Sequence, residues 1–243
     1  MAHTAHHVFN FAEGEVLLVD KPLRWTSFDV VHKIRNAIKP VKVKVGHAGT
    51  LDPLATGLLV ICTGKFTKRI DEFQAQEKEY TGTITLGATT PSYDLEQEID
   101  QRFDLAGITD EQLLKTAASF IGEIDQIPPV HSAIKVDGER VYEKARRGET
   151  VVIKSRRVHI REFEVLGIAL PDVDFRVVCS KGTYIRSLAH DFGRALGNGA
   201  HLSRLRRTKS GDFHVDDAWQ LPDLVKRIKD VTFAASDEDI QEP

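Results

Sequence analysis

The chain has 243 residues, of which 41% are hydrophobic and 28% are charged, and its formal net charge is −3. These fractions are typical of a globular protein with a sizeable core, and they exclude collagen-like, low-complexity and largely disordered chains. No apolar run approaches the ~18 residues of a membrane-spanning helix, and the polar, histidine-containing N-terminus does not resemble a secretory signal. We therefore predict a cytoplasmic protein with no membrane association and with a flexible N-terminus at residues 1–10.

The two cysteines, Cys62 and Cys179, both lie in apolar, strand-like runs. This placement predicts two buried thiols in a reducing compartment rather than a disulfide framework. Their separation does not match the ligand spacing of a structural metal site. The sequence therefore gives no reason to expect a bound metal.

Positive charge is concentrated in three blocks, although the net charge is negative. Residues 30–50 contain five Lys or Arg and no acid, residues 140–161 contain eight against two acids, and residues 200–211 contain four and no acid. The acids are concentrated instead at 94–104 and 237–242. If the three blocks converge, they form a surface suited to a phosphate backbone. Three separate solvated faces are the alternative.

Hydrophobic periodicity predicts a mixture of strands and helices, with one antiparallel or mixed sheet flanked by helices. Thr26 and Asp29 have capping-box spacing at the start of the first helix. The polar segment 89–104 is expected to be an exposed loop. Strands are predicted at 15–20, 58–62, 78–86, 151–154, 158–166, 174–179 and 205–215, and helices at 27–38, 65–74, 110–120, 181–196 and 221–228.

The segment 46–57, with the sequence GHAGTLDPLATG, places a single carboxylate, Asp52, among glycines and directly before the apolar run 58–62. Glycines permit unusual backbone angles, and Pro53 biases Asp52 toward an extended conformation. A buried strand that holds a preset loop is a common support for functional residues. An Asx turn, in which Asp52 binds its own backbone, is the structural alternative.

Other segments carry residues suited to chemistry on a nucleotide. Tyr80 lies in a predicted strand, Tyr184 and Arg186 lie at a strand-to-helix junction, and an Arg-Arg pair begins the last strand-like run. An arginine near an aspartate keeps the acid ionised, and an aromatic ring on a sheet can stack on an extruded base. Considered singly, the two tyrosines are more typical of core positions, and Arg186 of a structural ion pair.

Several stretches, taken in order, resemble the bacterial tRNA pseudouridine-55 synthases of the TruB family over nearly the whole chain. They are Lys21-Pro22 with Thr26-Ser27, the segment 46–57, Lys78-Glu79-Tyr80, Pro128-Pro129 with Ser132-Ala133, Cys179–Arg186, and Leu205-Arg206-Arg207-Thr208 with Ser210-Gly211. The resemblance implies an α+β pseudouridine-synthase fold, in which a mixed, mostly antiparallel sheet is flanked by helices around a central catalytic cleft. It also implies isomerisation of uridine 55 in the tRNA T-loop, without cofactor or metal.

The resemblance also implies roles for individual residues. Asp52 is the essential carboxylate. Three alternatives stay open for its first chemical step: addition to C1′ of the sugar, attack at C6 of the base, or removal of the C2′ proton. Arg186 pairs with Asp52, and Tyr80 stacks on the flipped uracil. The remaining substrate contacts are expected from His47, which fills the gap in the T-loop stack, from Tyr184 and Leu205, which line the uracil pocket, and from Lys21, which supports its floor.

The same resemblance implies how the chain is organised and what it binds. A catalytic domain at 11–230 includes a basic RNA-gripping lobe at about 128–161, and an acidic tail follows at 231–243. The expected partner is the T-arm of tRNA, with a monomeric enzyme and no obligate protein partner. Contacts to the RNA backbone are expected from Arg146, Arg147, Arg206 and Arg207.

The chain departs from the family pattern at several positions. The family usually has Gly at Arg24, Thr at Ala48 and Tyr at His131, so the turn at Arg24 and an aromatic contact at His131 are in question. A C-terminal RNA-binding PUA domain, frequent in the family, is not expected here, which predicts weaker or more salt-sensitive tRNA binding.

Two other function classes fit the sequence less well. A glycoside hydrolase normally needs two carboxylates at the scissile bond, whereas the segment 46–57 offers one. The second class is a non-catalytic RNA-binding module. Simple binding does not require a buried ionised acid, so the presence of Asp52 together with Tyr80 and Arg186 disfavours this class.

Overall fold

The computed structural model describes residues 8–130, 135–136, 139–140 and 153–238. The chain divides into two compact units. Unit 1 comprises Met1–Lys78 and Arg206–Pro243, and unit 2 comprises Glu79–Leu205. Within the described part, no helix is both long and apolar enough to cross a membrane.

The described helices agree with the predicted ones in position, although their ends differ. The segment predicted as a helix at 65–74 is a 3-10 turn, Gly64–Arg69, followed by a short α-helix, and the last helix continues well beyond residue 228. The helices are α1 (Ser27–Ala37), α2 (Ile70–Ala75), α3 (Asp110–Ser119), α4 (Ile185–Ala195) and α5 (Leu221–Glu238).

The strands are β1 (Val16–Lys21), β2 (Val45–Ala48), β3 (Ala55–Thr63), β4 (Lys78–Leu86), β5 (Ala88–Thr89), β6 (Gln101–Arg102), β7 (Gly122–Gln126), β8 (Lys135–Val136), β9 (Glu139–Arg140), β10 (Arg156–Ala169), β11 (Asp172–Cys179), β12 (Ala200–Ser210), β13 (Phe213–His214) and β14 (Trp219–Gln220). Strand β12 contributes its residues up to Leu205 to unit 2 and those from Arg206 onward to unit 1.

In unit 1 the strand order is β14-β1-β3-β12, with β2 paired to β3 and β13 to β12. Strand β1 runs parallel to β14 and antiparallel to β3. In unit 2 the order is β12-β4-β11-β10-β7, and β10 is antiparallel to both β11 and β7. Parallel and antiparallel pairs together confirm the predicted mixed, mostly antiparallel α+β fold.

Strand β3 explains the continuous apolar run at 58–62. Leu59 and Ile61 pack with β1, α1 and α5 in one core cluster, whereas Leu58 and Val60 belong to a second cluster. A strand covered on both faces has no solvent side that requires polar residues. Cys62, in the same run, is buried, as is Cys179 in β11. Burial raises the pKa of the Cys62 thiol to about 11.

Unit 2 has an aromatic core between its sheet and its helices. Phe163 of β10 lies 5.9 Å from Phe175 of β11 and 5.8 Å from Phe192 of α4, measured between ring centroids. Phe120, directly after α3, lies 6.3 Å from Phe163. Tilted and edge-to-face pairs at these separations are favourable for aromatic rings. They fix α4, which carries Arg186, against β10 and β11.

Three sequence predictions need correction. Residues 89–104 are not simply an exposed loop, because Ala88–Thr89 pairs with Gln101–Arg102, and Thr90, Ser92 and Asp94 are buried. Of the strand predicted at 151–154, residues 153 and 154 are not in a strand, and residues 151 and 152 lie outside the described part of the chain. The strand predicted at 205–215 begins at Ala200 and ends at Ser210, because the chain turns there into β13.

Candidate functional site

The loop with Asp52 connects two paired strands of unit 1. Strands β2 and β3 form an antiparallel pair in which Ala48 lies opposite Val60, so the intervening residues project from the end of the ladder. Within the loop, the amide of Ala55 donates to the carbonyl of Asp52 at 3.0 Å. Asp52 is partly exposed. The predicted combination of a buried strand and a preset loop is therefore present, with one more strand, β2, than the sequence suggested.

Helix α1 anchors the residue before Asp52. The Ser27 hydroxyl, at the first position of the helix, donates to the Leu51 carbonyl at 3.1 Å and accepts from the Leu51 amide at 2.9 Å. The helix begins at Ser27 because Thr26 and Asp29 form the predicted capping box. A capped helix end thus holds both backbone groups of Leu51, and this restricts where Asp52 can lie.

Arg207 anchors the same loop from strand β12. Its side chain is 1% exposed, and it donates to the carbonyls of Leu58 at 2.6 Å and Gly49 at 3.1 Å. The prediction that Arg207 contacts the RNA backbone is wrong, because its donors are directed at carbonyls inside the fold. Gly57 has φ +99°, and a Cβ there would overlap the Arg207 backbone, so this close approach requires glycine.

Lys21 provides a buried positive charge beneath the loop. Its side chain is fully buried, and its ammonium donates to the carbonyls of Trp25 at 2.5 Å, Pro22 at 3.1 Å and Pro53 at 3.4 Å. Burial lowers the pKa of Lys21 to about 8, although the negative charge of Asp52 opposes this shift. Lys21 therefore holds backbone carbonyls next to Asp52 and interacts with its charge, and its predicted role at the floor of the uracil pocket remains a prediction.

The Lys21 pKa predicts a pH dependence of stability that can be isolated by mutation. Since the folded-state pKa of about 8 lies below the ordinary 10.5, the unfolded chain binds more protons between these values, and stability rises with pH. We expect the unfolding free energy of the parent, relative to Lys21→Met, to rise by about 1 kcal/mol between pH 7 and 9. Urea denaturation at each pH measures it. Lys65→Met, at an exposed lysine paired with Glu13, is the control and should show no such rise.

Arg24 occupies the turn where the resemblance implied glycine. Its φ is +65°, in the left-handed region, and its amide donates to the Pro53 carbonyl at 2.7 Å. The turn that the family usually builds with glycine is therefore formed here by an arginine in a strained conformation.

We expect Arg24→Gly to stabilise the protein by about 0.5–1 kcal/mol. Relief of the left-handed strain exceeds the added entropy of a glycine in the unfolded chain. Thermal unfolding measures the change, and Arg24→Ala, which keeps the strain but removes the guanidinium, is the control. An equal gain in both variants would show that the side chain, not the backbone, is unfavourable.

His47 lies on β2 opposite Ile61 and is partly buried. Burial and the nearby Arg207 lower the pKa of its imidazole, which favours a neutral ring. Its Nδ1 atom is buried without a hydrogen-bond partner. A neutral ring at the base of the loop is compatible with stacking, and its insertion into the T-loop remains a prediction.

A basic groove of about 910 Å³ follows helix α1 in unit 1. The first of the three positively charged blocks supplies its charge, and no acid lies among its lining residues. These are His32, Arg35, Asn36, Lys39, Pro40, Val41, Lys42, Val43 and Lys44. Of the other predicted RNA contacts, Arg206 is partly exposed and paired with Asp20 at 2.6 Å, and Arg146 and Arg147 lie outside the described residues, as does His131.

In unit 2, Arg186 lies in the first turn of α4 and is buried. Its Nε lies 3.7 Å from an Asp94 carboxylate oxygen, and its Nη1 donates to the Ser92 carbonyl at 3.3 Å. Asp94 is also buried. Sequence reasoning missed Asp94 because it lies in a polar segment, although the preceding Thr, Pro and Ser residues are typical of a structured turn. The predicted pairing of Arg186 with Asp52 remains a prediction.

Tyr184, the residue before α4, is held by two side chains. Gln126 accepts from its amide at 2.8 Å and donates to its carbonyl at 3.0 Å, and the Arg156 guanidinium lies 4.4 Å from its ring centroid. Gln126 and Arg156 are paired residues of β7 and β10, and the sequence did not reveal either of them. Tyr80 is buried on β4, and Leu205 is partly buried on β12.

Comparison with known proteins identifies the family. The profile described as TruB family pseudouridylate synthase (N terminal domain) matches residues 35–185, and the tRNA pseudouridylate synthase B C-terminal domain matches residues 186–239. The chain belongs to the TruB family. The N-terminal TruB match contains Asp52, Tyr80 and Tyr184, and the C-terminal one begins at Arg186.

Two relatives named tRNA pseudouridine synthase B are similar over most of their length, and one solved structure is similar over about half of its chain. A tRNA pseudouridine synthase B of Flavobacterium johnsoniae is 61% identical, covering 86% of this chain and 93% of the relative. The protein of that name from Bacteroides thetaiotaomicron is 52% identical, covering 95% and 99%. A chain in the crystal structure of a Cbf5-Nop10-Gar1 complex is 35% identical with a TM-score of 0.69. The match covers 89% of this TruB chain but 54%, about half, of that larger one. These similarities confirm the predicted pseudouridine-synthase fold.

Proposed function

We propose that this protein isomerises uridine 55 in the T-loop of tRNA to pseudouridine, with Asp52 as the essential carboxylate. The observation that carries this proposal is the Asp52 loop, which Ser27, Lys21 and Arg207 hold from three separate elements within a sequence that matches the TruB family. Preorganisation of this kind is what a catalytic carboxylate requires.

The reaction requires that uridine leave the base stack. Flipping costs a few kcal/mol, which stacking and pocket contacts must offset. In our proposal Tyr80 stacks on the uracil, Tyr184 and Leu205 line its pocket, and His47 replaces it in the loop. The N1–C1′ bond then breaks, the uracil rotates and rejoins through C5, and the C5 proton is lost while N1 gains one. No atom or electron is gained overall, so the reaction needs no redox cofactor.

Binding of the RNA backbone is assigned to basic surfaces outside the pocket. The groove at α1 offers three exposed lysines and one exposed arginine, Arg35, and phosphate contacts position a substrate without reading its sequence. The lobe at about 128–161, with Arg146 and Arg147, and the partly exposed Arg206 complete this assignment. We further propose that the protein acts as a monomer on the T-arm, without an obligate protein partner, in the bacterial cytoplasm.

Incubation of the purified protein with an unmodified tRNA transcript tests the function. Pseudouridine at position 55 is detected by carbodiimide treatment and primer extension, and a transcript with cytidine at that position is the control. The proposal predicts a carbodiimide-dependent stop in the first transcript and none in the second. Binding without conversion would instead support a non-catalytic RNA-binding protein, and release of free uracil would indicate a hydrolase.

A further inference from the structure

The turn that presents Asp94 contains a residue in an unfavourable backbone conformation. Tyr93 has φ +64°, a value that favours glycine. Its amide donates to the Thr90 carbonyl at 3.1 Å, and its carbonyl accepts from the Leu202 amide at 2.9 Å. A bulky residue persists in this region only where surrounding contacts determine its conformation.

The Tyr93 ring supplies such a contact. It stacks on the imidazole of His190, with 3.9 Å between ring centroids and 15° between the ring planes. His190 lies on α4 four residues after Arg186, so both side chains are on the same face of that helix. Adjacent residues of the turn, Tyr93 and Asp94, thus contact residues one helical turn apart, His190 and Arg186.

The chemistry of the two rings indicates that stacking is their function. The Nδ1 atom of His190 is buried without a hydrogen-bond partner, and burial together with nearby Arg194 lowers the pKa of the imidazole. Burial and the nearby Asp191 raise the pKa of the Tyr93 phenol. Both rings are therefore neutral at physiological pH, and flat contact between neutral aromatic rings is favourable.

We propose that Tyr93 and His190 are positioning residues, whose stacked rings hold the Asp94 carboxylate against Arg186. Without the stack, the turn is no longer anchored to α4, and the carboxylate moves away from the guanidinium. The effect on turnover rests on the proposed function, because it assumes that Arg186 acts in the reaction. The effect on the turn itself does not.

Two pairs of variants test the role of the rings. His190→Ala and Tyr93→Asn remove the stack, and asparagine tolerates the left-handed conformation, so the backbone is not the cause of any loss. His190→Phe and Tyr93→Phe retain an aromatic ring. His214→Ala, at a partly exposed histidine of β13 in unit 1 that pairs with Asp216, is the control. The readouts are the single-turnover rate at saturating tRNA, the Kd for tRNA, and hydrogen exchange at the Leu202 amide.

We expect His190→Ala and Tyr93→Asn to reduce the single-turnover rate about tenfold, with the Kd changed less than about twofold. Exchange at Leu202 should accelerate in both variants. The two phenylalanine variants and the control should stay within about twofold of the parent. A lower single-turnover rate with little change in Kd, together with a near-parental rate in the phenylalanine variants, distinguishes positioning from general destabilisation.

The proposal is overturned if the parent is active and His190→Ala and Tyr93→Asn react at the parental rate. It is also overturned if the two phenylalanine variants lose as much of the single-turnover rate as His190→Ala and Tyr93→Asn. If His190→Ala does not fold, Tyr93→Asn decides by the same criteria. If the parent forms no pseudouridine, the proposed function fails, and unchanged exchange at Leu202 would then separately overturn the proposed role of the stack.

Discussion

Asp52→Asn is expected to lower the rate of pseudouridine formation by at least about 10³-fold. Asparagine has nearly the same shape as aspartate, but its amide carries no negative charge and cannot act as a nucleophile or a base. Contacts to tRNA come mainly from basic surfaces in our proposal, so the Kd should change by less than about threefold. The loop itself should persist, because Ser27 and Arg207 bind its backbone rather than the Asp52 side chain.

The primer-extension assay under single-turnover conditions measures the rate, and filter binding measures the Kd. Asp212→Asn, at an exposed aspartate in the turn between β12 and β13, is the matched control and should retain the parental rate. A parental rate in Asp52→Asn would remove Asp52 from the mechanism. Equal losses of rate and affinity would assign it to substrate binding.

Asp94→Asn is expected to have the second largest effect, on both stability and rate. Removing one charge from a buried ion pair costs about 3 kcal/mol, because the remaining guanidinium loses an anionic partner that compensated its desolvation. We also expect the single-turnover rate to fall at least about tenfold, since Arg186 is then held less firmly. Urea denaturation and the primer-extension assay provide the two measurements.

Three further variants, one of them the single change Arg186→Met, establish whether the Asp94 effect arises from the ion pair. Asp172→Asn changes an exposed aspartate that accepts from Thr85 at 2.6 Å, and it should alter stability by less than about 0.5 kcal/mol. The double variant Asp94→Asn/Arg186→Met removes both charges, so its loss of stability should be smaller than the sum of the two single losses. Strict additivity would show that the two side chains are not energetically coupled.

The sequence was sufficient where local chemistry determines the structure. Thr26 and Asp29 form the predicted capping box because both partners lie within one turn of chain. The run Leu58–Cys62 forms a buried strand because a wholly apolar segment needs cover on both faces. The Asp52 loop was recognised for the same reason, since its glycines permit unusual backbone angles and Pro53 restricts Asp52 locally.

Prediction failed where burial depends on residues distant in sequence. Asp94 was expected in an exposed loop, but it is buried by a bridge to Leu202 and by Arg186. Arg207 was predicted to contact RNA as part of a basic block, yet its donors satisfy carbonyls of a loop about 150 residues earlier in the chain. A one-dimensional pattern reports charge and periodicity, whereas partners across a sheet follow only from the fold.

The two buried cysteines make the protein convenient to label. A thiol reacts as its thiolate, and Cys62, buried within β3 and with its pKa raised to about 11, offers almost none at neutral pH. Cys179 is likewise enclosed in β11. A maleimide dye would therefore attach selectively to a cysteine engineered on the surface, without prior removal of the native ones. Fluorescence could then follow the arrival and departure of tRNA on the otherwise unaltered enzyme.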